Sequence, residues 1–117
     1  MAGGGRHLRL GAHGEQRAAS WYTSRGYAVV ARNWRCTDGE IDLVVATPAV
    51  LVFCEVKTRS SDRFGLPAEA VTVSKQRRLR RLAARFLSES GGAGGRSLRF
   101  DVASVRGERV EVIEAAF

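Results

Sequence analysis

Residues 40–57, EIDLVVATPAVLVFCEVK, decide the fold. Two apolar runs studded with charges, 40–46 and 51–57, flank the break Thr47-Pro48-Ala49-Val50, a loop short enough to join them as an antiparallel hairpin. If Ala46 and Leu51 close that hairpin, Asp42 falls opposite Glu55 and Glu40 opposite Lys57. Period-two alternation then puts Glu40, Asp42 and Val44 on one face together with Phe53, Glu55 and Lys57. Ile41, Leu43, Val45, Val52, Cys54 and Val56 are expected to cover the other face, so charge gathers at the open end of the hairpin.

Upstream, residues 27–34 read as a first strand, and Asp38-Gly39 marks a turn into the hairpin. Before them, residues 14–25, GEQRAASWYTSR, are expected to form a helix capped by Gly26 in a left-handed conformation. Glu15, Ala18, Ala19 and Tyr22 recur at helical spacing, so Glu15 shares the face expected to pack inward. Two uses fit Glu15: a carboxylate aimed at a site, or a negative charge complementing the helix N-terminus. The glycine-rich residues 1–10 are expected to be a flexible lead-in to a single domain over 11–117.

Downstream of the polar stretch 58–65, residues 74–88 carry the strongest helical pattern, with Ser74 as the expected N-cap. Leu79, Leu82, Ala83, Phe86 and Leu87 form its apolar stripe, and Arg77, Arg78, Arg80, Arg81 and Arg85 the other side. After the GGAGG loop at 91–95, residues 98–105 and 109–115 read as two strands joined by an Arg-Gly-Glu turn. The connection between the third and fourth strands is long enough for a parallel crossover. The fold class expected is α/β: one domain with a mixed five-stranded sheet flanked by helices, in the order α-β-β-β-α-β-β.

At 117 residues the chain suits one domain and one core. No apolar run approaches the ~20 residues that span a bilayer, and the N-terminus lacks the apolar segment of a secretory signal; a cytoplasmic protein without membrane association is expected. Cys36 and Cys54 have no Cys or His at zinc-ligand spacing, and Cys54 sits in an apolar strand, so neither is assigned a function. A net charge of +7, from 19 basic against 12 acidic residues, favours polyanionic partners, nucleic acid foremost.

Two carboxylates on facing strand residues have Cβ atoms about 4.5–5.5 Å apart, within reach of one hard divalent ion. Asp42 and Glu55 are therefore candidate ligands for Mg²⁺ or Mn²⁺, with Glu15 completing the shell directly or through water. Lys57, two residues beyond Glu55 on the same face, is placed to orient or deprotonate an attacking water and to offset phosphate charge. Such a set suits phosphodiester hydrolysis, whose transition state gathers negative charge on oxygen. Glu40 has two readings, a third acid at the metal or a salt-bridge partner of Lys57, the second being preferred. Gln76 fits either an auxiliary site residue or a helix-terminal polar group, and Asp101 is expected to be structural. Arg59 and Arg63 after the third strand, with Lys75, Arg77, Arg78 and Arg81 on the basic helix, are candidate phosphate contacts. Trp21 and Trp34 are expected to pack in the core rather than stack on bases.

The blocks GAHGEQRAA, NWRCTDGEIDLV, LVFCEVKTRSSDRFG, AVTVSKQRRLRR and RFDV resemble the YraN family of bacterial proteins, which is similar to archaeal Holliday-junction resolvases. The resemblance runs from about Gly11 to the C-terminus. It implies a restriction-endonuclease-like fold with a PD-(D/E)xK motif: Asp42 and Glu55 as metal ligands, Lys57 as the catalytic lysine, and Glu15 as the helix carboxylate. Ile41 stands where that motif's name has proline. The resemblance also implies DNA as substrate, branched DNA among the options, and a homodimer as the assembly of the resolvase relatives.

Overall fold

The hairpin forms in the register its short loop implies, with β2 (Gly39–Ala46) paired antiparallel to β3 (Val50–Arg59) from Ala46↔Leu51 to Leu43↔Cys54. The computed structural model describes residues 2–59 and 71–117, which form two helices and one five-stranded sheet. β1 (Ala28–Cys36) adds antiparallel to β2 on one side. On the other, β4 (Ser97–Arg106) runs parallel to β3 and β5 (Arg109–Ile113) closes antiparallel, for the spatial order β1-β2-β3-β4-β5. This is the mixed α/β sheet expected from the sequence, consistent with the restriction-endonuclease-like class.

The helices cover opposite faces. α1 (Ala2–Thr23) begins upstream of the expected position 14 and ends in a Schellman arrangement. Gly26 has φ 89°, its N–H donates to Thr23 O, and the Tyr27 N–H donates to Tyr22 O. Ala18, Ala19 and Tyr22 of α1 pack on Leu43, Val45, Val52, Cys54, Ala103 and Val105. α2 (Val73–Ser90) lays Leu79, Leu82, Ala83 and Phe86 on Ile41, Val44, Leu51, Phe53 and Phe100. Each large apolar side chain so buried contributes about 1.5–3 kcal/mol.

Two sequence expectations change here. The N-cap of α2 is Thr72 rather than Ser74: Thr72 is extended, its hydroxyl accepts from the Lys75 N–H at 3.2 Å, and its carbonyl accepts the first helical bond from the Gln76 N–H. Ile41 belongs to the α2-side core with Val44, not to the α1-side core with Leu43 and Val45. From Asp42 back to Gly39, β2 keeps its pairing with β1 but not its ladder with β3. A two-stranded ribbon twists more freely than a full sheet, and Asn33, between the residues facing Leu43 and Ile41, has φ 50°. Trp34, opposite Ile41, follows it onto the α2 side and meets Phe86 edge-on at 5.4 Å, which makes it a packing residue. Trp21 is likewise engaged, edge-on to Tyr22 and covered by the Arg25 guanidinium at 3.8 Å.

Candidate metal and phosphate site

The site opens where β2 and β3 part. Asp42 lies one step past the last paired rung, and its Oδ2 accepts from the Val56 N–H at 2.8 Å, taking the place of a strand partner. The carboxylate is thereby locked into the cleft between the strands. Glu15 from α1 and Glu40 from β2 converge on it, and their carboxylate oxygens and that of Asp42 all lie within 4.8 Å of one another. Glu55 lines the same cavity with Asp42 and Glu40 but makes its own ion pair, Lys57 Nζ to Glu55 Oε1 at 3.3 Å. The cavity measures about 280 Å³, and its other wall is α2, through Lys75, Arg78, Leu79 and Leu82.

The electrostatics follow from this crowding. Burial is the largest cause that pushes the Asp42 carboxyl up to about 6; the Val56 N–H opposes it, and Glu15, Glu40 and Glu55 add repulsion. Glu15 is also raised, first by burial and then by Glu40, against a hydrogen bond from the Asn33 side chain and the charges of Arg32 and Arg35. These carboxyls are held in a place that disfavours their charge, which is the condition a bound cation relieves.

Most of the residues picked out in the sequence meet here, with some rearrangement. Glu40 pairs with Arg35 Nε at 2.8 Å across the β1–β2 rung and not with Lys57, because β2 turns away from β3 at that level while staying on β1. It therefore stands in the acid trio as well as in an ion pair. The Gln76 side chain donates to the Val71 carbonyl at 3.3 Å, which spends it on the start of α2. Lys75 and Arg78 reach the cavity, whereas Arg77 and Arg81 are exposed outside its lining. Arg59 ends β3, and Arg63 lies outside the described residues. Two further arginines are occupied: Arg85 by Glu89, Asp38 and Thr37, and Arg80 by the rings of Phe100 and Phe117. Cys54 is fully buried, its thiol pushed up to about 12 chiefly by burial, so it is no nucleophile at neutral pH.

Sequence reasoning missed Asn33 and Gly14. Asn33 carries a positive φ and a hydrogen bond to Glu15, and an asparagine inside a strand pattern was the available signal. Gly14 is the close-approach point of α1: a Cβ there would overlap Thr58 Oγ1 on β3. That proximity delivers the next residue, Glu15, to Asp42. Gly14→Ala is expected to destabilise the protein by about 1–3 kcal/mol, overpacking outweighing the gain in helix propensity, and to weaken divalent-cation binding. Thermal melting and calorimetry check this; an alanine variant matching the wild type in both would mean that α1 has room to spare.

Among the described residues, no helix is long and apolar enough to cross a membrane. The profile of the uncharacterised protein family UPF0102 matches residues 14–105, a span that holds Glu15, Asp42, Glu55 and Lys57. The chain is 56% identical to a UPF0102 protein of Beutenbergia cavernae, covering 82% of this chain and 80% of that one. It is 51% identical to a UPF0102 protein of Moorella thermoacetica over 93% of this chain and 95% of that one. A UPF0102 protein of Mycolicibacterium gilvum is 57% identical, over 83% and 80%. Similarity of this depth along nearly the whole domain, on top of the motif blocks, makes the chain a member of family UPF0102, the YraN family.

Proposed function

We propose that the chain is a Mg²⁺- or Mn²⁺-dependent nuclease that hydrolyses phosphodiesters of nucleic acid, DNA before RNA. The observation that carries this reading is the convergence of Glu15, Glu40 and Asp42 within 4.8 Å, beside a cavity lined by Glu40, Asp42 and Glu55, the last of which is ion-paired with Lys57. An all-oxygen, carboxylate-rich donor set fits a hard divalent ion, which needs only one or two carboxylates and completes its shell with water and phosphate. Asp42, with Glu15, Glu40 and Glu55 around it, would hold that ion. Bound there, the ion would lower the pKa of a coordinated water and offset phosphoryl charge.

The chain's own residues supply the rest. Asp42, locked by the Val56 N–H, fixes the position of the site along the sheet. Lys57, tethered by the cavity-lining Glu55, would orient the attacking water and take up negative charge on the phosphate. Attack of water on phosphorus breaks the P–O3′ bond and leaves a 5′-phosphate and a 3′-hydroxyl. A cytoplasmic homodimer acting on branched or structured DNA is the setting this reading favours, since 117 residues offer little surface for gripping a junction alone.

The test is cleavage of junction, flap and single-stranded DNA by purified protein with Mg²⁺ or Mn²⁺. Cutting that chelator removes, and that Lys57→Ala lowers by at least about 100-fold, is expected. Cutting no faster than the Lys57→Ala control would overturn catalysis and leave a nucleic-acid-binding module of the same fold.

A further inference from the structure

The cavity has two unlike walls. Carboxylates of β2 and β3 line one, and α2 presents Lys75 and Arg78 on the other, above Leu79 and Leu82. Cations and acids that share a small cleft usually neutralise one another, yet among the described residues neither Lys75 nor Arg78 forms an ion pair. The contrast along the same helix is sharp, because Arg85 is consumed by Glu89 and Asp38 and Arg80 lies over aromatic rings. Lys75 also sits in the first turn of α2, where the helix dipole adds positive potential and its own backbone N–H is already taken by Thr72.

We propose that Lys75 and Arg78 form a phosphate seat, gripping the non-bridging oxygens of one backbone phosphate of a nucleic-acid strand from the helix side while the acid side faces the same group. Lys57, which carries its own Glu55 partner, lies beside Lys75, so the strand and helix cations stand together next to the acids. Arg78 supplies a planar fork suited to two phosphate oxygens and Lys75 a point charge, so the pair recognises a phosphate without reading a base. This inference rests on nucleic acid being the ligand, but not on turnover.

The test measures anisotropy of a fluorescein-labelled single-stranded oligodeoxynucleotide at low ionic strength in chelator, so that no divalent ion contributes. Against wild type, the Lys75→Ala/Arg78→Ala double variant is expected to bind about tenfold more weakly, and its log affinity to depend less steeply on log salt, by about 0.7 for one lost phosphate contact. Arg109→Ala, an exposed arginine of β5 outside the cavity lining, is expected to stay within a factor of about three of wild type, and all three proteins to melt alike, which separates a lost contact from a lost fold. A double variant with wild-type affinity and salt slope overturns the seat, as does wild-type protein that fails to bind the probe. If binding falls as expected while no protein cuts DNA with Mg²⁺, the seat stands and the nuclease reading falls; if the double variant cuts with unchanged KM, the reverse holds.

Discussion

Asp42→Asn is expected to abolish divalent-cation binding and cleavage while making the metal-free protein more stable at neutral pH. The carboxyl of Asp42 moves from an ordinary value of 3.8 to about 6 on folding, chiefly through burial. A raised acid favours the fold while it is protonated; that advantage is complete below pH 3.8 and is lost as pH rises through about 6. Above about 6 the wild type therefore holds an ionised carboxylate where the fold disfavours it. A shift of this size corresponds to about 3 kcal/mol at most, and partial solvent access reduces the expected effect to about 1–2 kcal/mol. Asparagine keeps the acceptor for the Val56 N–H and presents an amide to Glu15 and Glu40, so the gain should appear at pH 7 and vanish near pH 4. Urea unfolding at the two pH values with chelator, alongside Mn²⁺ calorimetry, reads both halves. An Asp42→Asn variant less stable than wild type at pH 7 would refute the electrostatic account of the site.

The second large effect lies away from the site. Asp101 is fully buried on β4 and accepts from the Tyr22 hydroxyl at 2.6 Å, from Arg99 Nε and Nη2 at 2.9 Å each, and from the Ala115 N–H at 3.0 Å. Through these bonds one carboxylate ties α1, β4 and the segment after β5 together. Arg99 also donates to the Tyr27 hydroxyl at 3.0 Å, so the whole cluster is satisfied, and no buried side-chain polar atom among the described residues lacks a partner. Asp101→Ala removes the acceptor, strands a buried phenol and an amide, and leaves Arg99 only the Tyr27 hydroxyl and the more distant Glu114 carboxylate. The expected loss is about 3–5 kcal/mol, which for a domain of this size lowers the melting midpoint by about 15 °C or more. Asp101→Asn, which keeps the shape but not the charge, should fall between. A loss under about 1 kcal/mol for the alanine variant would mean that the network is replaceable by water.

Much of this molecule was legible in its residues. The hairpin register followed from a short loop and period-two alternation, because shifting it by one residue would take Leu43 and Val45 or Val52 and Cys54 off the face that α1 packs on. The helix stop at Gly26 and the inward face of α1 followed from local rules that act within a turn or two. The elements carrying Glu15, Asp42, Glu55 and Lys57 were likewise readable, since each of those residues stands at a fixed step along a regular element.

Only the tertiary structure decided how those residues meet. Alternation extrapolates a regular sheet, but β2 leaves β3 at Asp42, and from that one departure follow the Ile41 side chain on the α2 side, the Val56 N–H bound to a carboxylate, and Glu40 paired with Arg35. The assignment of roles among the cations of α2, with Arg80 and Arg85 engaged in packing and pairing and Lys75 and Arg78 facing the acids, came from the same level. Sequence spacing specifies which side of an element a residue occupies; what stands across from it depends on contacts between segments tens of residues apart, which leave no periodic trace in the chain.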